Sequence, residues 1–383
     1  MQSKRNPCNA RPSKGIYALL LVCVILFYNA GYAQKSANWY GYYNQKTALI
    51  GYKNSSGRVE ITARFSGLTR ASVFKHIIAV NNQRTNTSYY LLKNGKMVAK
   101  DSLYVWDMTF DCEQEGKIRF RDPKTDKVGF LGADGKIAIA ALYNDARPFH
   151  NGFAEVLYNG RRVCPDGSAF DQHNPCEHWG WDGVTALVDT KGNVIADSLE
   201  SSELQNLNWH SMQMSDQPAD TTLRVSFKAK DGRYYSFVNY EKEFDLWFNN
   251  YYLAHVQHAC RLNSFDMICV EGLFKNQIRK FYPRKDFFAA YYEVLLKKLQ
   301  RLKKGKTDIQ LIPDELNPMI YTQTRFKTYY TDCGDVNVAD YPLFDVVVTH
   351  FKNNTTINYQ EHFSFLRTAG GYKLIAVAWK NKR

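Results

Sequence analysis

Four groups of side chains have the types and spacing to do chemistry. Cys164, His173, Cys176 and His178 crowd one stretch, and all four can ligate zinc. Their arrangement, Cys-x11-Cys with one histidine between and another two residues on, fits no standard finger. A disulfide joining Cys164 to Cys176, with exposed histidines, is the expectation. His255 and His258 stand three apart on a predicted helix beside Cys260. Two imidazoles at that spacing can share a metal, but the carboxylate of a metalloprotease motif is missing, so structural histidines are expected and no metal site is assigned. Asp345, His350 and His362 fall on predicted strands. Alternation puts Asp345 and His350 on opposite faces, which argues against an acid–base pair from one strand, while His362 can reach either from its neighbour. No catalytic residue is assigned. Finally, Lys297, Lys298, Arg301, Lys303, Lys304 and Lys306 follow an apolar stripe, with Arg279, Lys280, Arg284 and Lys285 close by. They read either as a solvated face favoured by the helix C-terminus or as a contact for an anionic partner, made by Lys297, Lys298, Arg301 and Lys304.

The ends and the charge place these groups in a compartment. Residues 1–33 have the form of an export signal: Lys4, Arg5, Arg11 and Lys14, an apolar run from Ile16 to Tyr28, then Gly31-Tyr-Ala33 before Gln34. The run is shorter than the roughly 20 residues of a spanning helix. Its removal takes four positive charges and no negative one, lowering the formal net charge from +13 to +9. A basic exported chain meets anionic envelope polymers or lipid headgroups more readily than nucleic acid, for which the sequence has no recognisable module. Peripheral membrane contact is compatible with that charge. Six cysteines remain after processing: Cys112, Cys164, Cys176, Cys260, Cys269 and Cys333. In an oxidising compartment they favour disulfides. Cys164 with Cys176 and Cys260 with Cys269 are the two local pairs, although spacing does not fix connectivity.

The elements that carry these groups repeat. Gly57, Gly95, Gly135, Gly192 and Gly232 are spaced by 38, 40, 57 and 40 residues, each in a short polar turn between apolar runs. Asn-Gly and Asp-Gly turns with alternating flanks predict antiparallel hairpins whose two turn residues both take positive φ. The long spacing reflects an insertion over 161–179. Units of this size bury no core alone, so neighbours must stack into one β-rich array.

The clearest unit reads Gly129-Phe-Leu, Asp134-Gly-Lys, Tyr143-Asn-Asp-Ala-Arg-Pro-Phe and Asn151-Gly-Phe-Ala-Glu-Val. It resembles the WG (KWG) repeats of bacterial envelope proteins, and with looser units the resemblance covers about residues 39–240. The naming Trp-Gly pair survives only at Trp179-Gly180; Val128-Gly and Thr185-Ala stand where the turn spacing expects it. The resemblance implies a β-rich repeat array with binding roles and carries no catalytic residues or cofactor. Aromatics make up 15% of the chain, with 26 Tyr. A cluster such as Trp39-Tyr-Gly-Tyr-Tyr reads as core first and as a carbohydrate-stacking platform second.

After residue 240 glycine thins out. Phe244, Trp247, Phe248 and Tyr251 or Tyr252 share one side of a predicted helix. Phe288, Tyr292, Leu295, Leu299 and Leu302 line another that Gly305 ends. Strands are predicted near Tyr321–Tyr330, Leu343–Phe351, Ile357–Leu366 and Tyr372–Trp379, with turns at Asn353-Asn354 and Gly370-Gly371. The ending from Glu361 to Trp379 resembles the last hairpin of nuclear-transport-factor-2-like domains, which implies helices over a curved sheet.

The expectation is therefore a signal over 1–33, a β-repeat array of antiparallel hairpin units over 34–240, and a smaller α+β domain over 241–383 with helices packed on an antiparallel sheet. The expected function is an exported, non-enzymatic binding or scaffold protein of the cell envelope. Its β-repeat surface would meet an envelope component, protein or polysaccharide, in the periplasm, on the cell surface or outside the cell. Two alternatives stand beside it: a small-molecule enzyme with a pocket in the C-terminal cone, and a binder of anionic envelope surfaces through the basic helix near 297–306.

Overall fold

Alternating apolar runs between glycine turns fold here into consecutive antiparallel units. A computed structural model describes residues 38–106, 108–272, 279–303, 308–352 and 356–379. The expected signal over 1–33, Lys304, Gly305, Lys306 and the turn at Asn353-Asn354 lie outside the described residues. The first sheet holds β1 (Trp39–Asn44), β2 (Leu49–Lys53), β3 (Val59–Phe65), β4 (Val73–Phe74), β5 (Ile77–Asn82), β6 (Thr87–Leu92) and β7 (Met97–Val98), in the order β4-β1-β2-β3-β5-β6-β7. Its halves pair as strands at Phe65 opposite Asn82, so it is two units joined edge to edge over a short stretch. A small hairpin, β8 (Val105–Trp106) and β9 (Thr109–Phe110), precedes the third unit, β10 (Lys117–Asp122), β11 (Lys127–Gly132) and β12 (Ile137–Tyr143). The fourth unit is β13 (Asp145–Ala146), β14 (Phe153–Val163), β15 (Gly180–Asp189) and β16 (Val194–Leu199). The fifth is β17 (Leu207–Ser215), β18 (Arg224–Lys228) and β19 (Tyr234–Asn239), with β19 in the middle.

The turn glycines share one geometry. In each, the glycine N–H donates to the carbonyl three residues back: Gly57 to Asn54, Gly95 to Leu92, Gly135 to Gly132, Gly192 to Asp189 and Gly232 to Ala229. Only the glycine carries positive φ, between 74° and 88°. The expected two-residue hairpin with both residues at positive φ is thus replaced by a wider turn ending in a left-handed glycine, as in a type I turn with a bulge.

Successive sheets bury alternate residues against opposite neighbours, which is why the array has no free-standing unit. Ile78 and Val80 of β5 face the first unit's core around Tyr52 and Phe65. Ile77 and Ala79 face the next core, with Phe120 and Leu131. Ala186 and Val188 of β15 join Phe130 and Phe149, whereas Leu187 joins Trp209 and Phe237 in the last cluster. Period-2 alternation, when buried on both faces, couples each sheet to two others.

Gly129 shows how tightly the units close. A Cβ there would sit 2.6 Å from the Ile139 carbonyl oxygen and 2.7 Å from the Ala141 nitrogen. Gly51 meets Ile61 and Ala63 at the same two distances in the first unit. In both places the partner strand is irregular in register and swings over the glycine. Gly129→Ala is expected to cost about 1–3 kcal/mol, because backbone rather than a flexible side chain must move. Urea denaturation followed by circular dichroism checks this; an unchanged midpoint would contradict it.

Beyond Asn239 the chain turns helical. Asn239 caps α1 (Tyr240–Trp247) by accepting from the Lys242 N–H. A π-helical turn over Phe248–Tyr252 follows, then α2 (Val256–Leu262), β20 (Ser264–Glu271), β21 (Lys280–Pro283), α3 (Arg284–Lys303) and β22 (Asp308–Asp314). After a 3-10 turn at Thr324–Tyr329 come β23 (Leu343–Lys352), β24 (Thr356–Thr368) and β25 (Gly371–Ala378). The last sheet runs β21-β20-β25-β24-β23-β22, and β20 pairs with β25 in parallel. The other pairs of this sheet are antiparallel as expected, and β20 with β25 is the departure from the expected antiparallel sheet. The expected strand at Tyr321–Tyr330 is instead the 3-10 turn, whose Phe326 packs under the sheet with Tyr321 and Leu343.

Residues 331–340 return to the array. The Ser72 N–H donates to the Asp332 carbonyl at 2.7 Å, Arg70 pairs with Asp335, and Cys112 is bonded to Cys333. At the other end His210 Nε2 lies 3.1 Å from Asp340, and the Tyr240 hydroxyl donates to the Ala339 carbonyl at 3.1 Å. One short segment therefore touches the first and the last unit, so the array curves.

Candidate binding cleft

Lys127 and Asn144 begin the site by shaping a hairpin. Asn144 accepts from the Gly160 N–H at 2.9 Å and donates to the Gly160 carbonyl at 3.0 Å, and Lys127 Nζ reaches the same Asn144 oxygen at 2.9 Å. The β14–β15 pairing slips between Tyr158 and Arg161, and Gly183 faces Gly160 so closely that a Cβ would lie 2.7 Å from its Cα. Past this irregularity the hairpin continues through Arg162 opposite Trp181 and ends in the 161–179 insertion. Cys164 and Cys176 are disulfide-bonded there, with Cα atoms 6.0 Å apart. Their sulfurs are committed to each other, and His173 and His178 are exposed.

The extension forms one wall of an open cleft of about 1200 Å³. Trp179 and Trp181 meet edge to face at 5.4 Å, and Phe170 lies 5.8 Å from Trp179. The Arg162 guanidinium sits 4.5 Å from the Trp179 ring centre and 5.3 Å from that of Trp181. Asp126 fixes it at 2.7 Å, and Arg121 donates to the Asp126 carboxylate at 3.1 Å and to its carbonyl at 2.9 Å. The same cleft is lined by Trp106, 56% exposed, and by Asp145, which accepts from the Tyr104 hydroxyl at 2.8 Å and lies 4.0 Å from Arg121. Glu155, which accepts from the Ser201 hydroxyl at 2.6 Å, also lines it with Ser201. The cleft thus combines the exposed indoles of Trp106 and Trp179 and the half-buried Trp181 with guanidinium and carboxylate groups already held by one another. Such a surface can stack on flat or apolar ligand faces while offering donors and acceptors at fixed positions.

The other candidates from the sequence fall elsewhere. On α3, Lys297 and Arg301 are exposed, but Lys298 turns inward to an ion pair with Glu361, their side chains 15% and 5% exposed. Three of the four proposed basic contacts are therefore described, and they do not form one outward cluster. Cys260 and Cys269 correct the expected local pair. Both are unbonded and buried: Cys260 packs among the helices, whereas Cys269 faces the other side of the sheet with Leu316 and Ile375. Burial pushes each thiol up to about 11, which keeps it protonated and inert. His255 and His258 are exposed on or beside α2. In β1, Tyr40 and Tyr43 are exposed, while Trp39 packs edge to face on Phe74 at 5.3 Å.

Asp345 and His362 do meet. His362 Nδ1 lies 2.5 Å from Asp345 Oδ2, and the Ser364 hydroxyl donates to the other oxygen at 3.1 Å. His350 is on the opposite face, stacked on Tyr359 at 4.3 Å and 3.3 Å from Glu361. The helix-covered face is filled by Phe244, Phe248, Tyr252, Phe344, Phe365 and Tyr372. The hydrogen bond to Asp345 raises the His362 pKa above its ordinary 6.5, outweighing burial. A raised histidine pKa adds stability that is complete below about pH 6.5 and fades as pH rises through the folded-state value. His362→Gln is accordingly expected to lose more stability at about pH 5.5 than at about pH 8.5. Equal losses at both values would contradict the pairing.

Sequence reading missed most of the cleft. Arg121, Asp126 and Arg162 carry no local motif; the repeat around Asp145 and Glu155 and the Trp179-Gly180 pair were the signals that pointed to this place. That pair lies twelve residues before Gly192, in the hairpin extension. The repeat glycine position is six before the turn, where Gly51, Gly129 and Ala186 stand.

Among the described residues no helix is long and apolar enough to cross a membrane, and two disulfides are present. No curated protein matches the chain. A family model described as WG containing repeat matches residues 129–161. The match begins in β11 and ends in β14, so the sequence repeat straddles the third and fourth units. This chain thus carries a WG repeat, and that repeat supplies Asp145 and Glu155 to the cleft.

Proposed function

We propose that the protein is an exported, non-enzymatic binding or scaffold protein of the cell envelope. In this reading a WG-like β-repeat array over 34–240 acts through its surface, and an α+β part over 241–383 supports it. The observation that carries it is the open cleft between the third and fourth units, where exposed indoles and pre-paired charges converge. Export is supported by the two disulfides, which persist in oxidising compartments, and by the basic and apolar leader of the sequence.

Immobilised protein exposed to extract of the native envelope tests this reading. The expected result is a retained component that is lost when Trp179 and Trp181 are changed to Ala. Retention unaffected by those changes, but abolished by charge reversal at Lys297 and Arg301 and by salt, would favour an anionic-surface binder instead.

A further inference from the structure

We infer that the ligand of this cleft is an uncharged oligosaccharide chain, an assignment that rests on the cleft being the binding surface. Three observations converge on it. The first is the pairing of ring faces with hydrogen-bonding charges. Trp106 and Trp179 expose 56% and 40% of their surface and, with Trp181, flank Arg162, Asp126 and Asp145. A pyranose ring offers an apolar C–H face for an indole and a rim of hydroxyls for carboxylate and guanidinium groups. Because Arg162, Arg121 and Asp126 already hold one another, little side-chain freedom is lost on binding.

Charge is the second. The cleft lining holds Arg121, Arg147 and Arg162 against six carboxylates, Asp126, Asp145, Glu155, Glu177, Asp182 and Glu200, of which Asp182 is paired with the adjoining Arg161 at 2.9 Å; carboxylates still outnumber the guanidinium groups. On a chain with a formal net charge of +13, this is an acidic patch. Phosphate-rich or uronate-rich polymers are repelled from it, whatever the rest of the basic surface attracts.

The third concerns cationic ligands, which an acidic aromatic cleft would otherwise suit. The protein's own Arg162 already occupies the cation site beside Trp179 and Trp181 and is neutralised by Asp126. A lysine or quaternary ammonium group would have to displace it. A volume of about 1200 Å³, open to solvent, accommodates a chain of several sugars. It exceeds the roughly 300–1,000 Å³ of sites that engulf a small molecule.

The test is a titration of the intact protein, followed by tryptophan fluorescence and calorimetry. The probes are a panel of neutral oligosaccharides (glucose, mannose and N-acetylglucosamine hexamers), an oligogalacturonate and a lysine hexapeptide. Saturable binding is expected with at least one neutral hexamer. It should weaken at least tenfold in Trp179→Ala and in Trp181→Ala, and be largely kept in Trp179→Phe, which preserves a stacking face. Circular dichroism of each variant guards against misfolding. Binding of the anionic or cationic probe in place of every neutral one overturns the assignment. So does failure of the whole neutral panel while envelope capture still depends on Trp179 and Trp181; in that case the cleft remains a binding site for another ligand. If capture is also indifferent to those tryptophans, the proposed function itself fails.

Discussion

Phe244→Ala is expected to destabilise the protein by about 3–5 kcal/mol, the cost typical of emptying a large buried aromatic site. Phe244 is fully buried in α1. Its ring stacks on Phe344 of β23 at 4.6 Å and 9°, and meets Tyr372 of β25 at 5.0 Å, Phe365 of β24 at 5.7 Å and Phe248 at 5.7 Å. These neighbours come from three strands and the π-helical turn, so no single side chain can collapse into the space. Relaxation is limited, and the cavity cost adds to the lost transfer free energy. Phe244→Leu, which keeps most of the volume, should cost clearly less. Urea unfolding followed by near-ultraviolet circular dichroism measures both variants. A loss under about 1 kcal/mol for the alanine variant would mean that this aromatic layer does not hold the helices to the sheet.

Removing the Cys112–Cys333 bond should be nearly as damaging. The two cysteines are 221 residues apart, and a cross-link closing a loop of that length lowers the entropy of the unfolded chain by an amount equivalent to roughly 5 kcal/mol at most, with about 2–5 kcal/mol the usual cost of losing a native bridge. Cys164–Cys176 spans only 12 residues within an exposed insertion, so its loss should act locally and cost less. The double serine variant at 112 and 333 is therefore expected to melt several degrees lower than the one at 164 and 176. It should also expose residues 331–336 to protease, because that turn is then held to the array by noncovalent contacts of Arg70, Ser72, Val73 and Lys75. Equal melting temperatures would contradict this ordering.

Legibility in the sequence followed the range of the interaction. The five turn glycines could be read because their chemistry is local: a polar residue, then a glycine at positive φ, between apolar runs. The same turn at Gly167 and at Gly334 went unread, since its flanks are polar or cysteine-bearing. The Cys112–Cys333 bridge was beyond reach, because nothing in the spacing of two residues so far apart tells of contact. β22 was hidden by Pro313, which is tolerated there only because the strand lies at the sheet's edge. β20, by contrast, owes its place to pairing with β25, more than a hundred residues on. Tyr321–Tyr330 looked like a strand because aromatics favour strands. Its rings are instead spent on the underside of the last sheet, with Phe326 stacked on Phe265 at 5.2 Å. The cleft was the least legible part. Its charged groups come from β10, the β10–β11 turn, β13, β14, β15 and the loops between them, and only the three-dimensional crossing of units brings Asp126 to Arg162.

Hydrogen exchange of the intact protein, with and without the envelope component that it retains, would test most directly whether the array acts through this cleft. Slower exchange is expected over residues 121–126, 155–162 and 179–185, the strands and turn that line it, with no change over 284–302. Protection confined to 284–302 or to 343–366 would move the binding surface to the basic helix or the last sheet and contradict the account.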